Sequence, residues 1–302
     1  MTKGQKKSSS FSLGWIFVIV IAAFLGLVIW GMLDKSDSQV TDEYKADGSN
    51  HPHTFSYSPD ESTLWLGTHK GIYESRNGKW IKAVPPLGSN DVMGLEINPN
   101  QTDTMAVSGH GFVKRTTDGG KTWEAAENGL PNKPKPDVPD AHQLTMNPRD
   151  PNHLITLLAG KGKNLFETKD GGQSWKEAGS IQQDAYSIAL APDSDTSVLV
   201  ATETGIYRYD NINGALKETK VNNEPAFQLL TLENGSVFAV GESGILMSKD
   251  LKSWNPIHVQ LNGKMPLGIE GSRSDDNKLL ILTDKLTAYE STDSGNSWSE
   301  RK

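Results

Sequence analysis

The chain has 302 residues, of which 35% are hydrophobic and 22% charged, with Gly 29, Pro 15, Trp 8 and no cysteine; that length suits one large domain or two small ones. The lack of cysteine excludes disulfides, thiolate metal sites, iron–sulfur clusters, thioether-attached haem and a cysteine nucleophile in this chain. The formal charge is −7, and because residues 1–33 carry three lysines and no acid, the remainder holds 27 basic against 37 acidic residues, a surface that repels polyanions and gives no expectation of nucleic-acid binding.

Residues 1–12 form a basic tail containing Lys3, Lys6 and Lys7. From Leu13 to Leu33 run 21 residues without a charge, enough at about 1.5 Å per residue to cross a hydrocarbon core of about 30 Å. The run is longer than the apolar region of a cleaved signal peptide, and Gly31-Met32-Leu33-Asp34 offers no small-x-small cleavage site, so residues 13–33 read as one uncleaved transmembrane anchor. Lysines precede it and a mixed, mostly acidic flank follows, which predicts a cytoplasmic amino terminus and an extracytoplasmic body at the cell membrane. Residues 34–50 are polar and nearly free of large apolar side chains, as in a flexible linker.

The body, residues 51–302, is repetitive. Trp80, Trp123, Trp175, Trp254 and Trp298 are spaced by 43, 52, 79 and 44 residues, and the third spacing is close to two periods. Each of three tryptophans ends the pattern S/T-x-D-x-G-x-S/T-W: Thr116 to Trp123 with Asp118 and Gly120, Thr168 to Trp175 with Asp170 and Gly172, and Ser291 to Trp298 with Asp293 and Gly295. Shortened copies occupy Ser75–Trp80 and Ser248–Trp254, and Tyr209–Leu216 lacks the tryptophan. The pattern suits a hairpin turn, with aspartate accepting turn N–H bonds, glycine taking positive φ and tryptophan wedging between sheets. These residues are therefore read as structural.

Around each turn the same strand signals recur. A first apolar segment ends in a Pro- or Asp-rich turn (TFSYSPDEST, GLEINPNQTD, QLTMNPRDPN, SIALAPDSDT, LLTLENGS, IEGSRSDDN), a second and a third short strand lead into the box, and a fourth follows the tryptophan. Four short strands per 40 to 50 residues describe a propeller blade, and six first-strand segments predict an all-β, six-bladed β-propeller. The stretch ENGLPNKPKPDVPD, with four prolines, is expected as a surface loop. Ring closure is expected either by blade-to-blade packing or by a strand from residues 40–50.

Blade geometry sorts the polar residues. First-strand entrances and the turns between strands two and three share one face, and the Asp-box turns lie on the other. The aligned entrances are His51-Pro-His53, Asp91-Val-Met93, Asp140-Ala-His142, Asp184-Ala-Tyr186, Glu224-Pro-Ala226 and Met265-Pro-Leu267. A side-chain period of two sends the outer members of each tripeptide the same way, so His51, Asp91, Asp140, Asp184 and Glu224 are expected around the channel mouth. The turns between strands two and three add His69 and His110. Candidate ligand-binding residues are thus His51, His53, His69, Asp91, His110, Asp140, His142 and Asp184. His51, His53, His69 and His110 are candidate ligands for a divalent transition metal such as zinc, copper, nickel or iron. Asp91, Asp140, Asp184 and Glu224 are candidate acid–base groups facing one another across a channel, and sugar hydroxyls are equally suitable guests. His153, expected on a turn of the opposite face, and His258, on an outer strand, are left out of the site.

The repeated box resembles the Asp-box, or BNR, repeat of sialidases, sortilin-type domains and many bacterial propellers. The stretches His51–Pro59, Gly67–Tyr73, Val92–Pro99 and Ser108-Gly-His110 look like membrane-anchored bacterial propellers labelled glycosyl-hydrolase-like or sortilin-like. That resemblance implies the fold and not an activity. The Phe/Tyr-Arg-Ile-Pro motif and arginine triad of sialidases have no counterpart among the six arginines after residue 33, so a sialidase is not expected. Xyloglucanase-type enzymes of this repeat class use a cleft between two propellers, and photosystem assembly factors with similar repeats use seven blades and arginine patches; neither pattern is here. The reading reached is a membrane-anchored extracytoplasmic binding or assembly module with a glycan or cell-envelope protein as partner. A glycoside hydrolase and a metal-handling protein are the alternatives.

Overall fold

The computed structural model describes residues 43–46, 48–131, 139–160, 162–212 and 215–301. The predicted tail, the anchor at 13–33, residues 34–42 and half of the proline-rich stretch lie outside the described residues. Glu43 to the carboxyl end forms one compact unit.

That unit is an all-β, six-bladed propeller: among the described residues 24 strands form six four-stranded antiparallel sheets, each built from strands consecutive in sequence. The first strands, which contact their counterparts in neighbouring blades, are Pro52–Tyr57, Val92–Ile97, Ala141–Asn147, Ser187–Leu190, Gln228–Thr231 and Pro266–Gly271. Second strands such as Leu64–Thr68, Val237–Gly241 and Leu279–Thr283 are buried along their whole length. Covered on both faces by adjoining sheets, they carry continuous apolar runs in place of alternation. The core is correspondingly divided into six clusters, each between two adjacent blades; one joins Ala106 and Val113 of blade two to Leu144, Leu154 and Trp175 of blade three.

The three full Asp boxes share one hydrogen-bond pattern. Asp170 Oδ1 accepts from Thr168 Oγ1 at 2.6 Å and Ser174 N at 2.9 Å, Oδ2 accepts from Ser174 Oγ at 2.5 Å, and Gly172 N, at φ +87°, donates to Thr168 Oγ1. Asp118 and Asp293 repeat it. These hydroxyl and amide donors hold all three carboxyls down at about 2. Trp123 and Trp298 donate their indole N–H to the box glycine carbonyl, whereas Trp175 reaches across to Ala126 O of the preceding blade. The aspartates are consumed by the turn.

Among the described residues each blade is complete within its own segment, and none of them exchanges a strand to close the ring. Blade six packs on blade one through Leu280, Leu282 and Ala288 against Tyr57, Leu64 and Leu66. Arg273 donates to Ser56 Oγ, Tyr57 O and Ser58 O, and Arg301 Nη2 donates to Ser62 O. Residues 43–44, in the stretch read as linker, lie along the outer edge of blade one: Glu43 bridges Ile81, and Tyr44 N donates to Trp80 O at 2.8 Å.

Candidate functional site

The first strands surround a cavity of about 420 Å³. At its upper end stand His53, Met93, His142, Tyr186, Phe227 and Leu267, one from each blade. All six occupy the same irregularity. His53, Met93, His142 and Leu267 are each the extra residue at a register shift between first and second strand. Tyr186 and Phe227 donate their backbone N–H to Ala201 O and Val240 O, residues that are already paired with Ser187 and Gln228. A bulge at a strand entrance re-aims the inserted side chain. Here it sets one residue per blade on the cavity wall.

This differs from the sequence expectation, which put the first members of the entrance tripeptides around the channel. Strict alternation fails where a bulge adds a residue. Five blades line the cavity with third members and blade five does so with Phe227, one residue beyond its tripeptide, while His51, Asp91, Asp140, Asp184 and Glu224 are absent from its wall. Half of the ring carries His53, Met93 and His142, and the other half carries Tyr186, Phe227 and Leu267. Among the described residues, Tyr186 and Met265 are the large apolar residues left exposed, each at 47%.

Beside the first half of the ring, blades one to three bring seven polar side chains together. Asp91 is the hub. Its Oδ2 accepts from His110 Nδ1 at 2.6 Å and His69 Nδ1 at 2.9 Å, and His53 Nε2 lies 3.2 Å from its Oδ1. Burial alone would raise the Asp91 carboxyl, but the two imidazole donors and the His53 charge outweigh it and hold it below the ordinary range. His53 is lowered, chiefly by burial and further by His69, His110 and His51, against the opposing pull of Asp91. His51 stacks edge-on against His69 at 5.5 Å between ring centres.

The second group is tighter. His142 Nε2 is 2.8 Å from Asp140 Oδ1 and 3.0 Å from His110 Nε2, and His110 Nε2 is 3.6 Å from Asp140 Oδ1. Backbone contacts between blades fix it: Gly111 N donates to Pro139 O at 3.1 Å, and His110 and Asp140 form an isolated bridge. Gly109 packs so closely on the Asp91 carbonyl that a Cβ there would lie 1.8 Å from its oxygen. Glycine is the residue that fits that approach.

Asp184 and Glu224 are both exposed and make no hydrogen bond or ion pair with this cluster. Asp91 and Asp140 flank the His110 imidazole, one at each ring nitrogen, so a side chain fills the space that a pair of opposed catalytic carboxylates would leave for substrate. His153 is on a strand, Asp150–Leu158, and not on a turn; it is buried and 3.2 Å from Glu167.

The lower part of the cavity holds residues that sequence reasoning missed. Glu96 and Glu270 line it together with Arg273. Burial raises both carboxyls, Glu96 well above its usual value with Glu270 adding to the shift, and Glu270 to about 7 despite Arg273. Their signal was present: each is an acid at the same place in an otherwise apolar first strand, GLEI and GIEG.

No protein-family model matches the chain, and no curated protein is significantly similar to it. Solved structures share its fold. Ycf48 bound to a D1 peptide matches at 15% identity over 87% of this chain and 86% of its own, with a TM-score of 0.54. A gluconolactonase from Xanthomonas campestris matches at 11% identity over 78% and 82%, with a TM-score of 0.57. A GH74 xyloglucanase from the same organism matches at 15% identity and a TM-score of 0.54, over 84% of this chain but 46% of the enzyme. Identities this low carry the propeller fold and nothing finer.

Proposed function

We propose that this protein is a membrane-anchored, outward-facing binding module whose ligand enters the central cavity past the six bulge residues. The observation that carries the reading is that ring itself. Register shifts at His53, Met93, His142 and Leu267, with irregular backbone hydrogen bonds at Tyr186 and Phe227, present His53, Met93 and His142 on one side and Tyr186, Phe227 and Leu267 on the other, the mix of apolar surface and few polar groups that ligand sites use. A segment of a cell-envelope protein, with an apolar side chain for the second half and an oxygen donor for the first, suits the ring. Ycf48, a propeller of like fold, is known with a bound peptide. The 21-residue uncharged run behind a lysine-bearing tail supports the anchor and its orientation.

The test is photo-crosslinking in intact cells expressing the full chain, with the reactive amino acid placed at Tyr186 or, on the Asp-box turn, at Lys121. A discrete protein adduct from position 186 and none from 121 is expected. Adducts from 121 alone, none from 186, or glycan adducts in place of protein would overturn the reading.

A further inference from the structure

We propose that His110, Asp140 and His142 hold a divalent transition-metal ion, with Asp91 as the positioning residue behind His110. The inference rests on the binding-module reading above and names one of the groups its ligand would meet.

His110 Nε2, His142 Nε2 and Asp140 Oδ1 form a triangle with edges of 3.0, 2.8 and 3.6 Å. His110 Nδ1 is committed to Asp91 Oδ2 as a donor at 2.6 Å, which leaves the Nε2 lone pair of that tautomer pointing into the triangle. A single shared proton satisfies one edge and leaves two lone pairs opposed. Protons on both Nε2 atoms set two N–H groups against each other. Asp140 Oδ1 is sealed from solvent yet has no hydrogen bond of acceptable geometry, which is costly for a carboxylate oxygen. One cation inside the triangle satisfies all three atoms at once.

The dimensions agree. A tetrahedral ion with bonds of about 2.0–2.1 Å separates its ligands by roughly 3.3 Å, and the observed edges bracket that value. Two imidazoles and one carboxylate, with no thiolate, suit zinc and its first-row neighbours. Three protein ligands leave a coordination position open. His142 is a bulge residue on the cavity wall, so that position opens toward the bound guest, whose carboxylate or hydroxyl oxygen would complete the shell. The ligand side chains are 35–49% exposed, and an ion can enter without unfolding. The His53, His69 and Asp91 group is also close-knit, and Asp91 Oδ1 is likewise sealed without a hydrogen bond, but Asp91 Oδ2 is already satisfied there by two imidazole N–H donors, an arrangement Asp140 lacks. The set departs from the sequence expectation of His51, His53, His69 and His110: only His110 is common to both.

The experiment uses the full chain in detergent, stripped with chelator and titrated with Zn²⁺ against a competing dye, with Co²⁺ absorption as the geometric readout. Wild type should take one equivalent with a tetrahedral Co²⁺ spectrum. His142→Gln and Asp140→Asn should each weaken Zn²⁺ at least 100-fold, Asp91→Asn about 10- to 100-fold, and His51→Ala less than twofold, with tryptophan fluorescence reporting that each is folded. Lack of micromolar Zn²⁺ binding by wild type, or equal losses in His51→Ala and His142→Gln, would overturn it. Crosslinking at Tyr186 in the wild type, read beside its Zn²⁺ titration, separates the two ideas: adducts from a protein that binds no metal sink this inference alone, and metal binding without adducts sinks the binding reading alone.

Discussion

Replacing Arg273 with alanine tests how the ring is closed. The side chain is 10% exposed, donates to Ser56 Oγ at 3.2 Å, Tyr57 O at 3.3 Å and Ser58 O, and lies 3.8 Å from Glu61. Glu61 returns the contact by accepting from Arg273 N at 2.6 Å and from Ser272 and Ser274. Blade six thus grips the end of the first strand of blade one. Removing a buried cation from such a set leaves carbonyls and a carboxylate unpaired, at about 3–5 kcal/mol. Arg149 is the internal control because it occupies the equivalent turn of blade three and grips Ala191 O, Pro192 O and Asp195 of blade four. It is 31% exposed, and screening reduces its removal to about 1 kcal/mol. Guanidinium unfolding of Arg273→Ala, Arg149→Ala and wild type should therefore show a large loss for the first and a small one for the second. The loss in Arg273→Ala should also grow from pH 5 to pH 8, since Glu270, raised to about 7 and facing the same cation, then ionises without it. Equal losses for the two arginines, or a loss in Arg273→Ala independent of pH, would refute the account of closure.

Other consequences follow from the same geometry. Glu270 is raised from an ordinary value of 4.5 to about 7, so the folded state binds more protons than the unfolded chain between those values. Its stabilising effect is whole below about pH 4.5 and is lost as pH rises through about 7, on the order of 1–3 kcal/mol in this wet cavity; Glu270→Gln should flatten that slope, and an unchanged slope would count against it. The Asp-box carboxyls run the other way: held at about 2, they support the fold above about pH 4 and lose that support as pH falls through about 2. Acid unfolding followed by tryptophan fluorescence should show a weaker acid limb in the Asp118→Asn, Asp170→Asn, Asp293→Asn triple variant, and an identical limb would contradict the hydrogen-bond origin. Gly109→Ala drives a Cβ to 1.8 Å from Asp91 O and should cost about 2–4 kcal/mol. It should also shift the His110 ring resonances in NMR, whereas retention of wild-type stability and shifts would argue against that close approach.

The repeat was fully legible in the sequence because its causes are local. The Asp-box bonds of Asp118, Asp170 and Asp293 span four residues or fewer, hairpin partners are near neighbours, and the second strands announce burial on both faces by unbroken apolar runs. Those facts determined six four-stranded blades and kept the Asp-box aspartates out of the chemistry. They also put His51, His53, His69, His110 and His142 of blades one to three on one face. Tertiary structure decided the rest. Alternation misassigned the cavity wall because an inserted residue at each first-strand entrance, an irregularity visible only in the pairing, turns His53, His142 and Tyr186 inward and leaves Asp91 and Asp140 behind. The grouping of His110 with Asp140 and His142 comes from a turn of blade two lying on the entrance of blade three, a contact between segments about thirty residues apart that no single repeat encodes. Closure by Arg273 was hidden for the same reason: its partners, Ser56 to Ser58, stand more than two hundred residues away. Local bonding fixes the blade, and only the packing of one blade on the next fixes what the ring presents.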